Sequence, residues 1–165
     1  MVSGTAISSN GRQGITVVDD LCVNLHHNTL TNIGRTVFDL EPEPEGYDHD
    51  ITIADNTVTG PAGGIFVGAE GAGRTGGVHI LRNKLIGIPL VVRDHNSGRP
   101  ERRGKIEVVD NTTNYGFDNY PIGMMVFAHV DGVTVTGNHA VARPSEAVVL
   151  DDCTAVSITG NSWQQ

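Results

Sequence analysis

At 165 residues, with 38% apolar and 5% aromatic content, the chain is long enough for one domain with a continuous core and too apolar to be disordered. Its formal charge of −8 excludes nonspecific attachment to nucleic acid or to an anionic membrane surface, because either needs a basic face. No signal peptide and no apolar run of membrane-spanning length occurs, so no membrane span is expected.

Strand signals come in pairs along the chain. After a rudimentary first coil (Thr5, Ile7, Asn10), Ile15/Val17 gives one alternating apolar segment and Val23/Leu25 a second, followed by Asn28. The pair recurs as Phe38/Leu40 with Ile51/Ile53 and Asn56, then Ile65/Val67 with Val78/Ile80 and Asn83. Leu90/Val92 with Ile106/Val108 and Asn111 follows, then Met124/Val126 with Val133/Val135 and Asn138, and finally Val148/Leu150 with Val156/Ile158 and Asn161. The asparagines stand 28, 27, 28, 27 and 23 residues apart. A repeat of that length marks a solenoid, in which one coil cannot bury its own apolar face.

The motif φ-x-φ-x-x-N-x-φ also fits the end of a leucine-rich repeat, which wants a further leucine eight residues before the asparagine. Those sites hold Asp20, Asp48, Thr75, Arg103, Val130 and Cys153, and the recurring apolar residues are mostly Val and Ile, which favour strand. Two period-2 segments per coil without a helical pattern predict an all-β fold: a right-handed parallel β-helix of about six coils, spanning 1–165 as one domain. Hexapeptide helices have shorter coils, and the calcium-binding nonapeptide G-G-x-G-x-D is absent.

The repeat resembles the pectate-lyase-like β-helix superfamily, most specifically at Phe38-Asp39-Leu40-Glu41-Pro42, a polar loop, and Asp50-Ile51-Thr52-Ile53-Ala54-Asp55-Asn56. Similar strings recur in polysaccharide lyases, epimerases and phage tailspikes. The resemblance implies the fold, a polysaccharide partner and an extracellular or virion-associated setting; it does not imply one reaction.

Each asparagine is expected at a tight turn after its strand, side chain inward, in an αL-tolerant position where stacked amides satisfy buried backbone groups. Cys22 and Cys153, several coils apart, are expected to be free and mostly buried. No helix is predicted to cap either end, so the chain reads as part of a longer one or as a protein that oligomerises through its ends.

Chemistry is sought on the outward positions of the segment preceding each asparagine strand: Thr16/Val18, Asp39/Glu41, Phe66/Gly68, Val91/Arg93, Met125/Phe127 and Val149/Asp151. The carboxylates, arginine, phenylalanines and methionine suit a groove for a flexible polar polymer, with Phe66, Asp94, His95, Met125, Phe127 and Asp151 as binding residues. The insertions Glu41–Asp50, Gly68–Gly77 and Arg93–Lys105 would stack into a wall beside it, the first acidic and the third basic. Asp39 and Glu41, roughly 6.6 Å apart along one strand, permit an acid and a base of an inverting glycosidase, or two oxygen ligands for Ca²⁺. Arg93 is a candidate base for abstracting the proton α to a uronate carboxylate. His79 belongs to a mild polar row, Asn24, Thr52, Glu107, Thr134 and Ser157, read as a solvated face. The competing expectation is a noncatalytic module, such as the shaft of a fibre or tailspike.

Overall fold

The computed structural model, which describes residues 1–43, 45–60, 64–67, 73–86, 92–93, 103–113, 125–141 and 147–164, is a parallel β-solenoid of three sheets. Sheet A has seven strands: Val2–Ser3, Asn24–His26, Tyr47–Ala54, Arg74–Leu81, Ile106–Val109, Asp131–Thr136 and Thr154–Thr159. Sheet B also has seven: Ala6–Ser8, Thr29–Thr31, Thr57–Thr59, Lys84–Ile86, Thr112–Thr113, His139–Val141 and Ser162–Gln164. Sheet C has six: Ile15–Val17, Phe38–Leu40, Ile65–Val67, Val92–Arg93, Met125–Ala128 and Val148–Asp151. Spatial order equals chain order in all three, so each circuit adds one strand to every sheet. The all-β expectation holds, and no helix occurs among the described residues.

Sheet B is the strand that two segments per coil did not predict. Its strands are two or three residues long and contribute a single inward side chain each, among them Leu30, Val58, Leu85 and Ala140, so they show no alternation to detect. These residues close the core against Leu25, Ile53, Ile80, Val108 and Val135 of sheet A, all buried.

The corner between sheets A and B is built by the asparagines. Nδ2 of Asn28, Asn56, Asn83, Asn111 and Asn138 donates to Oδ1 of the next asparagine at 2.9–3.0 Å. The same Oδ1 accepts the preceding asparagine's backbone N–H at 2.9–3.1 Å. The second Nδ2 hydrogen goes to a carbonyl one coil back, those of Val2, Leu25, Ile53, Ile80, Val108 and Val135, at 2.8–3.2 Å. Thus each amide satisfies backbone groups that the corner takes out of the sheet ladders. The left-handed residue is the one before the asparagine, a correction to the expected turn: φ is 55° at His27, 56° at Asp55, 52° at Arg82, 55° at Asp110 and 68° at Gly137. Asparagine is selected here for its donor and acceptor, not for αL tolerance.

Three further expectations change. Met125 and Phe127, placed outward by sequence, are core residues at 0% exposure, and Val126 takes the outward position between them. The run Met124-Met125-Val126-Phe127-Ala128 is apolar throughout, so period 2 cannot choose its face; pairing of Met125 with Val148 and Phe127 with Leu150 does. Cys22 is exposed, at a left-handed residue with φ 58°, while Cys153 is half-buried; both are free thiols. Finally, the ends of the first two insertions are not loop but extensions of sheet A, because Tyr47–Ala54 and Arg74–Leu81 are eight residues each.

Candidate functional site

Parallel register assembles the outer row of sheet C from residues far apart in sequence. Thr16 pairs with Asp39, Asp39 with Phe66, Phe66 with Arg93, Arg93 with Val126, and Val126 with Val149. Asp39 and Arg93 therefore share one row with Phe66 between them, about 10 Å apart by strand spacing. The described features of Phe66 and Arg93 are their backbone positions. Asp94, His95 and the outward candidates Gly68 and Val91 lie outside the described residues. Asp151 is exposed and pairs with Ala128, so it stands apart from Asp39 near the far end of the sheet.

Asp39 lies between two core residues, Phe38 and Leu40, which fix its strand and turn its side chain away from the interior. It is nonetheless only 2% exposed, and among the described residues its Oδ1 has no hydrogen-bond partner. Burial, and then the charge of Glu41, push its pKa from 3.8 up to about 6; a hydrogen bond from the Gln13 side chain and the Arg35 guanidinium pull weakly the other way. Glu41 is half-buried, its backbone N–H held by Val17 O at 3.0 Å. Burial therefore holds the Asp39 proton to higher pH than an ordinary aspartate keeps it, and the more accessible Glu41 side chain stands two residues on.

The wall beside this pair begins at Pro42, which is buried. Glu43 N–H donates to Asp19 Oδ1 at 3.0 Å, tying the loop to the coil below. On the coil above, Gly73 fits so closely over Pro42 that a Cβ there would meet Pro42 O at 2.4 Å. Stacking of successive insertions is therefore present where the structure describes them.

A second buried carboxyl was not singled out by sequence as a site. Asp48 is 0% exposed; its Oδ1 accepts the Asp20 N–H at 2.9 Å, while Oδ2 has no hydrogen-bond partner among the described residues. Burial, with the charges of Asp19 and Asp20, raises its pKa to about 6 against the backbone hydrogen bonds that lower it. It heads an inward column with Thr75 and Arg103, in which Arg103 Nη1 donates to Thr75 Oγ1 at 3.1 Å. These are positions where a leucine-rich repeat would need leucine, so their polarity was the available signal.

Among the described residues, no group of three or more His, Cys, Asp or Glu side chains is placed to hold a metal ion. Asp39 and Glu41 alone would supply at most about four oxygens to a Ca²⁺, short of the roughly six to eight that ion takes. No protein-family model, curated protein or solved structure matches the chain.

Proposed function

We propose that the protein is a carbohydrate-active β-helix domain that binds a polysaccharide along the outer row of sheet C. In this reading Asp39 is the general acid, Glu41 the base, and Arg93 the cation that meets a substrate carboxylate. The observation that carries the reading is the Asp39–Glu41 pair, in which a strand carboxyl with its pKa raised to about 6 stands two residues from the half-buried Glu41, just past the strand's end. An acid of that pKa still holds a useful protonated fraction in the range where glycosidic oxygens are protonated enzymatically. The Phe38–Pro42 string, which resembles those of pectate-lyase-like proteins, and the stacked insertions beside it support a polymer substrate. Asp39 is 2% exposed, so in this reading substrate reaches its carboxyl after the side chains that cover it are displaced.

That same burial favours a second reading, a noncatalytic shaft module of a fibre or tailspike in which Asp39 only anchors the loop starting at Pro42. Incubation with polyuronates and capsule-type glycans separates the two. The catalytic reading expects new reducing ends or unsaturated products from wild type, lost in Glu41→Gln. Absence of products with every glycan supports the shaft reading.

A further inference from the structure

The strand extensions of sheet A bring a different set of side chains together on its outer face. Tyr47, His49 and Asp50 come from one coil; Gly76, Gly77 and His79 from the next; Gly104, Lys105 and Glu107 from the one above. Tyr47 reaches across the glycine coil: a Cβ on Gly76 would lie 3.1 Å from its hydroxyl and 3.4 Å from His49 Cδ2. Its ring stands 5.0 Å from the His49 ring, tilted by 39°. Even so, Tyr47 remains 42% exposed.

Across the glycine positions stands a charged rim. His79 Nδ1 meets Glu107 Oε2 at 2.6 Å, and Lys105 Nζ pairs with Glu107 Oε1. The Lys105 hydrogen bond, and secondarily that of His79, hold the Glu107 carboxyl below the usual range against some desolvation. On the near side, His49 Nδ1 pairs with Asp50 Oδ2 at 3.0 Å. From His49 to His79 is about 11 Å between backbone positions by strand spacing and rise, a gap within which one sugar ring with its hydroxyls fits between the two side chains. Glycines within a strand interior weaken it and commonly mark a close approach by another group.

We infer that this face of sheet A is a binding site for one neutral hexose ring of a glycan, stacked on Tyr47 and hydrogen-bonded by His49, Asp50, His79 and Glu107. An exposed aromatic ring gives the sugar's C–H face its apolar contact, and the flanking polar tips fix its hydroxyls. Charge selects a neutral ring: Glu107 is already paired with Lys105 and His79, and Asp50 with His49. A uronate would bring an uncompensated negative charge beside Asp50 and Glu107. The site lies on a different sheet from Asp39 and Glu41, so the two stand or fall separately.

The test is a calorimetric titration of the protein with β-1,4-glucan, β-1,4-mannan and β-1,4-galactan hexasaccharides, with an oligogalacturonate as the charged control. Wild type should bind at least one neutral hexasaccharide more tightly than the uronate, and Tyr47→Ala should weaken that binding about tenfold or more. Gly76→Ala, whose Cβ would crowd the Tyr47 hydroxyl at 3.1 Å, should weaken binding slightly; Lys84→Ala, at an exposed position of sheet B, should leave it unchanged. A melting curve for each variant separates lost binding from lost fold. The site is overturned if no neutral hexasaccharide binds, if the uronate binds better, or if folded Tyr47→Ala binds as wild type does.

Discussion

The asparagine corner and the outer row of sheet C bury polar groups in opposite ways. In the corner, the Asn83 amide accepts from Asn56 N and Nδ2 at 3.1 and 2.9 Å and donates to Ile53 O and Asn111 Oδ1, each at 2.9 Å. On sheet C, Asp39 is as deeply covered, yet one of its oxygens has no hydrogen-bond partner among the described residues and its pKa is raised. A fully bonded amide column stabilises its surroundings, whereas a half-bonded carboxyl costs free energy whenever it is charged. The difference separates scaffold from candidate site better than residue type does, since both rows recur along the same solenoid.

The largest effect should come from breaking the satisfied column. Asn83→Ala removes four hydrogen bonds and leaves the Asn56 N–H and the Ile53 carbonyl without their partner in a buried corner. A loss of about 4 kcal/mol is expected, read as a lower urea midpoint at unchanged slope. A loss under about 1 kcal/mol would place the corner's strength in the backbone ladders.

Asp39 should give a smaller effect with a distinctive pH signature. The folded carboxyl keeps its proton up to about pH 6, while the unfolded one releases it near 3.8. Its contribution is therefore fully present below that lower value and is lost as pH rises through about 6, by about 3 kcal/mol. Asp48 adds a loss of the same sign over the same window. Relative to wild type, Asp39→Asn should thus be about 2.5 kcal/mol more stable at pH 8 than at pH 4, and the wild-type stability curve should fall across that interval. Denaturation at several pH values checks both; equal relative stability at the two ends contradicts the burial argument.

The smallest expected change is a gain. His27 occupies the left-handed turn position with φ 55°, where Gly137 and Gly160 stand in later coils. His27→Gly relieves that conformation at an exposed site and should stabilise by up to about 1 kcal/mol, visible as a rise in Tm. A fall in Tm would show that the ring contact with His26, 5.1 Å between centroids, outweighs the strain.

The ladder was legible residue by residue because one amide must recur at one place in every coil. Sheet B was not, since a strand such as Thr29–Thr31 carries one inward residue and gives no period. Met125 and Phe127 were misassigned because a continuous apolar run fits either face, and only their partners Val148 and Leu150 decide. At Asp39, alternation correctly sent the side chain away from the core, but cover from other segments is a tertiary fact that periodicity does not carry. The Tyr47 site was hidden for a related reason: its glycines and histidines lie on three coils and meet only through register.

The most direct test of the sheet C pair is a carbon-13 NMR titration of the Asp39 carboxyl in wild type and in Glu41→Gln. A midpoint of about 6, moving down when the Glu41 charge is removed, is the predicted result. A midpoint near 4 in both proteins would contradict it, leaving the outer row of sheet C without its acid.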